Sequence, residues 1–266
     1  MQSWLKKEIK LKVLQHYWNY KGCFKYYGQS VYFPKNSVIF KRAVKEGIYE
    51  HEILKFILPL IKANTEVFDI GANIGLMAIP FLAINNSVKV ISVEASPNSI
   101  PSLKKTQSVH KAKERWTIVD KAVSDKSGIV NFHIASSDNG AYDSISDTKR
   151  TDFGKVIEVE CTTIDTIWQN RKNPDVSFIK IDIEGGDLLA LRGGTMCIAQ
   201  CKPAIVMEWN PINIEPFNLF NNDLYKFAQA INYTIYALPY LSKASSLVEL
   251  DLVSKYTENL LLIPNT

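Results

Sequence analysis

Apolar positions fall into two patterns along this chain. Short, nearly unbroken apolar runs occur at residues 67–70, 88–93, 116–119, 178–183 and 204–209, several ending on an acid and several followed by glycine or proline. Runs of this length bounded by turn signals read as buried strands. Stretches of helical spacing separate most of them, which predicts a mostly parallel sheet with helices on both faces. Residues 128–134 and the alternating 156–161 read as further strands, 164–169 as a short helix and 219–230 as a longer one. The last two runs, 233–238 and 260–263, have no evident helix between them and read as antiparallel.

Ahead of this core, residues 3–20 carry Trp4, Leu5, Ile9, Val13, Leu14, Tyr17 and Trp18 among four lysines, a basic helix with a broad apolar face. Such a helix can associate peripherally with an anionic membrane or pack on its own domain, and the breadth of the face favours packing. Residues 31–33 and 37–40 flank Pro34-Lys35-Asn36 and read as a hairpin. A helix over 49–60 follows, with Glu50 and Glu52 in its first turn, where the helix dipole favours acids. Ser96 and Pro97 read as the cap and first turn of another helix. The expected organisation is an extension, residues 1–62, packed on a core of residues 63–266. The polar stretch 136–155 is long enough for a lid or a substrate loop.

A hydrophobic content of 46% over 266 residues supplies a large core, and the net charge of +4 is modest. The densest basic cluster, Lys104, Lys105, Lys111, Lys113 and Arg115, reads as a solvated helix face, so no nucleic-acid partner is expected. Four cysteines and four histidines form no metal-like pattern, which fits free thiols in a reducing compartment. No run approaches the ~20 apolar residues of a membrane span, and no secretory signal is evident; a cytoplasmic location is expected.

The candidate chemistry centres on residues 67–75. Strand, glycine turn and helix follow one another, with Asp69 two residues before Gly71 and Gly75 four residues beyond that. This arrangement lets a ligand sit on the first turn of a helix. The spacing is neither that of nicotinamide and flavin binders nor that of a phosphate-cradling loop. The acid before the glycine suits a ligand with an ammonium group and no pyrophosphate, as in S-adenosylmethionine. Glu94 ends the second strand, where it can accept both ribose hydroxyls of a nucleoside. The third strand ends beside the same crevice, so Asp120 or the backbone near Ala122 can meet the adenine; a plain turn role for Asp120 is equally open. Asp182, Glu184 and Glu208 end the next two strands and converge on the crevice. Any of the three can take the proton of a hydroxyl nucleophile. Asp182 and Glu208 with Asn210 can instead hold magnesium through oxygen ligands, although no metal site is assigned.

With these motifs in place, the chain resembles the FkbM-type family of S-adenosylmethionine-dependent methyltransferases over about residues 46–208. The resemblance rests on Asp69-Ile70-Gly71-Ala72-Asn73-Ile74-Gly75, Glu94 with Pro97, Ala122-Val123-Ser124-Asp125 before Gly128, Thr163-Ile164-Asp165, and Lys180-Ile181-Asp182-Ile183-Glu184-Gly185. It implies a class I, Rossmann-like fold with a seven-stranded sheet, and O-methylation of a hydroxyl on a small molecule or glycan such as a sugar or secondary metabolite. It implies cofactor contacts at Asp69, Gly71, Asn73, Gly75, Glu94 and around Ala122, with Asp182 near the methyl. Ala95 stands where the family often has proline, and Asp187 where it usually has glutamate. Two rival readings are a nicotinamide-dependent oxidoreductase and a non-catalytic scaffold on the same fold.

Overall fold

The structure is a computed structural model that describes residues 2–35, 37–135, 143–146 and 153–265, with side chains from residue 11 onward apart from residue 153. Much of the loop expected at 136–155 lies outside the described residues.

Helix α1 (Gln2–Lys21) leads into a hairpin of β1 (Cys23–Tyr26) and β2 (Gln29–Tyr32). The hairpin is not where Pro34-Lys35-Asn36 predicts it. Tyr27 and Gly28 have φ of 47° and 74°, and a two-residue turn with both φ positive matches the twist of the strands it joins. The apolar run after Ser37 is helix α2 (Val38–Glu46): the Ser37 hydroxyl accepts from the Phe40 N–H, and Phe40 and Ala43, three apart, are buried on one face. Helix α3 (His51–Ile57) follows. Trp18 of α1 packs against this group, whereas Val13, Tyr17 and Tyr20 stay exposed.

The core then runs β3 (Glu66–Ile70), α4 (Ala78–Ile84), β4 (Lys89–Val93), α5 (Ile100–Val109), β5 (Trp116–Val119), β6 (Ala122–Val123), β7 (Gly128–Ala135), β8 (Phe153–Thr162) and α6 (Ile164–Asn170). It continues with β9 (Val176–Ile181), α7 (Asp187–Arg192), α8 (Thr195–Cys201), β10 (Ala204–Glu208), α9 (Pro211–Ile214), α10 (Asn221–Ala230), β11 (Tyr233–Ala237), β12 (Ser242–Ala244), α11 (Leu247–Val253) and β13 (Asn259–Pro264).

The central sheet has the order β12-β11-β13-β10-β9-β3-β4-β5. Strands β10, β9, β3, β4 and β5 are mutually parallel, and β13 runs antiparallel to both β10 and β11. This is the expected α/β sheet, widened from seven strands to eight by the three-residue β12. A separate small sheet has the order β6-β8-β7. Two local expectations fail. Helix α11 does lie between β11 and β13; Ser246 caps it, and its apolar residues fall on more than one face, with Val248 and Leu252 exposed and only Leu250 buried, so no helical stripe marks it. Helix α5 starts at Ile100, not at Pro97, because the Ser96 hydroxyl accepts from the Asn98 N–H in a turn ahead of it.

Strand alternation sorts the core into two layers. Phe68, Ile70, Ile179, Ile181, Ile205 and Met207 face α6, α7, α8 and α10. Val67, Phe178 and Val206 face α4 and α5, together with Phe24, Val31, Phe40 and Ile57 of the N-terminal segment. Phe40 and Ile57 are fully buried, each stabilising by roughly 1.5–3 kcal/mol. The N-terminal segment therefore shares one core with the sheet.

Candidate active site

Alternation also places charge. Asp69 and Lys180 are cross-strand partners on β3 and β9, on the face that the N-terminal segment covers. Both are buried. The Ser92 hydroxyl and the Lys180 ammonium both favour the charged form of the Asp69 carboxylate. Burial raises its pKa to about 6, opposed by the Lys180 ammonium. Lys180 Nζ lies 3.0 Å from the Asp182 carboxylate. Burial works against the lysine's charge, but Asp182, Asp69 and Glu50 outweigh it and hold its pKa above the ordinary value.

A cleft of about 220 Å³ opens at the carboxyl ends of the parallel strands. At its floor, Gly71 has φ 80°, and a Cβ there would lie 1.8 Å from the Asp182 carbonyl oxygen. Only glycine lets β3 and β9 stay this close while the chain turns toward the helix. Asn73 follows in the left-handed region, φ 48°. Its N–H donates to Glu94 at 2.7 Å, and the same carboxylate accepts from the N–H groups of Ala95 and Ser96 at 2.9 and 2.7 Å. Burial raises the Glu94 pKa to about 7 against these three donors.

At the other end of the cleft stand Asp182, Glu184 and Glu208, each offering a carboxylate oxygen within 4.8 Å of the others. The Asn213 amide donates to Glu184 at 2.8 Å and to Glu208 at 3.0 Å. Burial, then Asp182 and Glu184, push the Glu208 pKa well up. These three carboxylates have the oxygen chemistry for a divalent cation. Asn210 does not join them: its side chain accepts from the Ile212 N–H and donates to Glu258.

Of the residues singled out from sequence, the cleft brings together Gly71, Asn73, Glu94, Ala122, Asp182, Glu184 and Glu208. Three lie elsewhere. Asp69 sits beneath the floor, held from the cleft by the alternation that pairs it with Lys180. Gly75 packs on the far side, where a Cβ would come within 2.7 Å of the Trp116 ring. Asp120 is exposed and pairs with Lys104 at 2.7 Å. Sequence reasoning also missed Arg42, Tyr49 and Glu50, which the N-terminal segment contributes to the cleft wall. Glu50, the N-cap residue of α3, lies at φ 52°, an uncommon conformation for a non-glycine residue, and its side chain makes no capping hydrogen bond. Only Lys180 left a signal, since a lysine inside a buried strand needs a counter-charge.

The buried acids have a consequence for stability. Besides Asp69 and Glu94, burial raises Asp143 to about 6 and Asp187 to about 7, and it raises Glu50 and Glu208 as well. Each folded carboxyl binds its proton more tightly than the unfolded one. Their contribution is therefore full below the ordinary carboxylate range and is lost as pH rises through about 6–7. His110, whose pKa burial lowers, works in the opposite sense with one group against six. The ligand-free protein is expected to melt higher at about pH 5.5 than at about pH 7.5, as scanning calorimetry would show; a midpoint that climbs over this range would contradict the buried-acid account.

Comparison with known proteins bears on identity. Residues 69–235, well over half of the chain, match the model of the methyltransferase FkbM domain. The crystal structure of methyltransferase FkbM from Methylobacillus flagellatus superimposes with a TM-score of 0.51 at 17% identity, over 80% of this chain and 47% of that one. A candidate caffeoyl-CoA O-methyltransferase from Staphylococcus aureus superimposes with a TM-score of 0.50 at 10% identity, over 97% of this chain and 100% of that one. These likenesses concern the fold. A curated relative, ribosomal RNA small subunit methyltransferase G of Mycoplasmopsis pulmonis, is 36% identical over 67 residues, which span 25% of this chain and 29% of that protein. Among the described residues no helix is long and apolar enough to cross a membrane. The extent of the domain match, over the sheet that carries the cleft, makes this chain a member of the FkbM methyltransferase family.

Proposed function

We propose that the protein is an S-adenosylmethionine-dependent O-methyltransferase whose acceptor is a hydroxyl on a sugar or secondary metabolite. The observation that carries this reading is one cleft with a glycine turn and Glu94 at one end and Asp182, Glu184 and Glu208 at the other. S-adenosylmethionine, when bound, supplies an electrophilic methyl group. Glu94 retains lone pairs beyond its three backbone donors and can accept the ribose hydroxyls. Gly71 lets the backbone approach the ligand closely. Asp182 accepts the proton of the acceptor hydroxyl, and the adjacent Lys180 ammonium balances its charge. Asn213 aligns Glu184 and Glu208 beside it. Lys180 already places one cation at Asp182, which favours working without a metal.

The acceptor class follows from charge. Seven acidic side chains line the cleft against three cationic ones, and even with the buried acids partly protonated this balance disfavours a phosphate backbone. An uncharged, hydroxyl-bearing small molecule or glycan suits it better than RNA. Thermal melts with S-adenosylmethionine, S-adenosylhomocysteine and NAD in parallel test the reading. At hundredfold excess over the dissociation constant, binding adds about 2.7 kcal/mol, a rise of several degrees. A rise with the first two and none with NAD is expected; a rise with NAD alone would point to the oxidoreductase, and none with any of the three to a scaffold.

A further inference from the structure

Asp143 lines the cofactor end of the cleft and has no role in the reading so far. It belongs to a short described segment, 143–146, that is fixed from two sides. The backbone of Ser144 pairs with that of His133 in β7, with hydrogen bonds of 2.7 and 3.1 Å. The Ser144 hydroxyl donates to the Glu184 carbonyl at 3.1 Å. Asp143 is held in turn: its carboxylate accepts from the Ser96 hydroxyl and, at 2.7 Å, from the Ala135 N–H.

Ser96 lies two residues past Glu94 and donates its own N–H to that carboxylate, so one residue joins the two acids. Beside them Ala122, Val123, Phe132 and Ile145 give the cleft an apolar wall. Such a slot, apolar along its sides with acceptors at one end, suits a nucleoside: the base is flat and largely apolar at its faces, while its amino group and the ribose hydroxyls are donors. Asp120, the acid that sequence order puts at this end, is paired with Lys104 on the surface instead.

We infer that Asp143 binds the adenosine moiety of the cofactor alongside Glu94. This rests on the S-adenosylmethionine reading above. Isothermal titration of the full chain with S-adenosylhomocysteine and with 5′-methylthioadenosine, which lacks the amino-acid end, tests it. Asp143→Asn is expected to weaken both ligands about tenfold or more. Asp143→Glu, which keeps the charge, should recover part of the loss, and Asp120→Asn should leave both affinities unchanged. If Asp143→Asn lowers the melting midpoint yet binds both ligands within about twofold of the parent, Asp143 only pins the segment and the inference is overturned. It is equally overturned if only S-adenosylhomocysteine weakens, since the contact would then lie at the amino-acid end. A parent chain that binds neither ligand overturns the cofactor reading itself, and this inference with it.

Discussion

Glu94→Ala is expected to lower the affinity for S-adenosylmethionine by about two orders of magnitude or more. Two hydroxyl donors to one buried carboxylate are charge-assisted hydrogen bonds, worth about 1.5–3 kcal/mol each. The substitution has a second effect. The carboxylate also accepts from the N–H groups of Asn73, Ala95 and Ser96, and alanine leaves all three without that acceptor. Each buried donor left unsatisfied costs about 1–3 kcal/mol, so the variant should also melt earlier. Glu94→Gln separates the two effects, because its amide oxygen preserves acceptance for part of the network while the charge is lost. Titration calorimetry of both variants, on protein shown to be folded, is the measurement. Unchanged affinity in either would remove Glu94 from the ribose site.

The second large effect is expected at Asp182. A positioned base contributes about 10²–10⁴-fold to rate, and Asp182→Asn removes the base while keeping the shape of the side chain. Turnover should fall by that factor once an acceptor is in hand, with cofactor affinity changed far less. The neighbouring acids sharpen the comparison. Glu184→Gln and Glu208→Gln leave the Lys180–Asp182 pair intact and should cost less than Asp182→Asn. Full activity in Asp182→Asn would eliminate it as the base; a larger loss in Glu208→Gln would transfer the role to Glu208.

Both predictions concern residues that the sequence announces. Buried strands ending in acids are legible because a run such as Phe178-Ile179-Lys180-Ile181 is short, apolar and closed by glycines at 185 and 186. From such runs the parallel sheet follows, and with it the convergence of Glu94, Asp182, Glu184 and Glu208 on one edge. At Asp69 the same reasoning meets the geometry of the strand. Its position before Gly71 marks the turn correctly, but side chains on a strand alternate, and the alternation points Asp69 at Lys180 beneath the cleft. At Asp120 the strand ends near the crevice while the carboxylate turns outward to Lys104.

Local pattern alone thus determined the parallel strands of the central sheet, their order of acids and the glycine turn, because each depends on neighbours within a few residues. Tertiary structure decided what no local window contains. The N-terminal segment folds back over the sheet because Phe24, Val31, Phe40 and Ile57 have no other apolar surface to cover them, and that docking brings Arg42, Tyr49 and Glu50 to the cleft. The Lys180 ammonium is stable in the core only because Asp182, Asp69 and Glu50, from three separate elements, surround it. Asp143 reaches the cofactor end through the pairing of Ser144 with His133. Each of these contacts joins residues far apart in the chain, and the closure of the core, which no single segment encodes, is what holds them together.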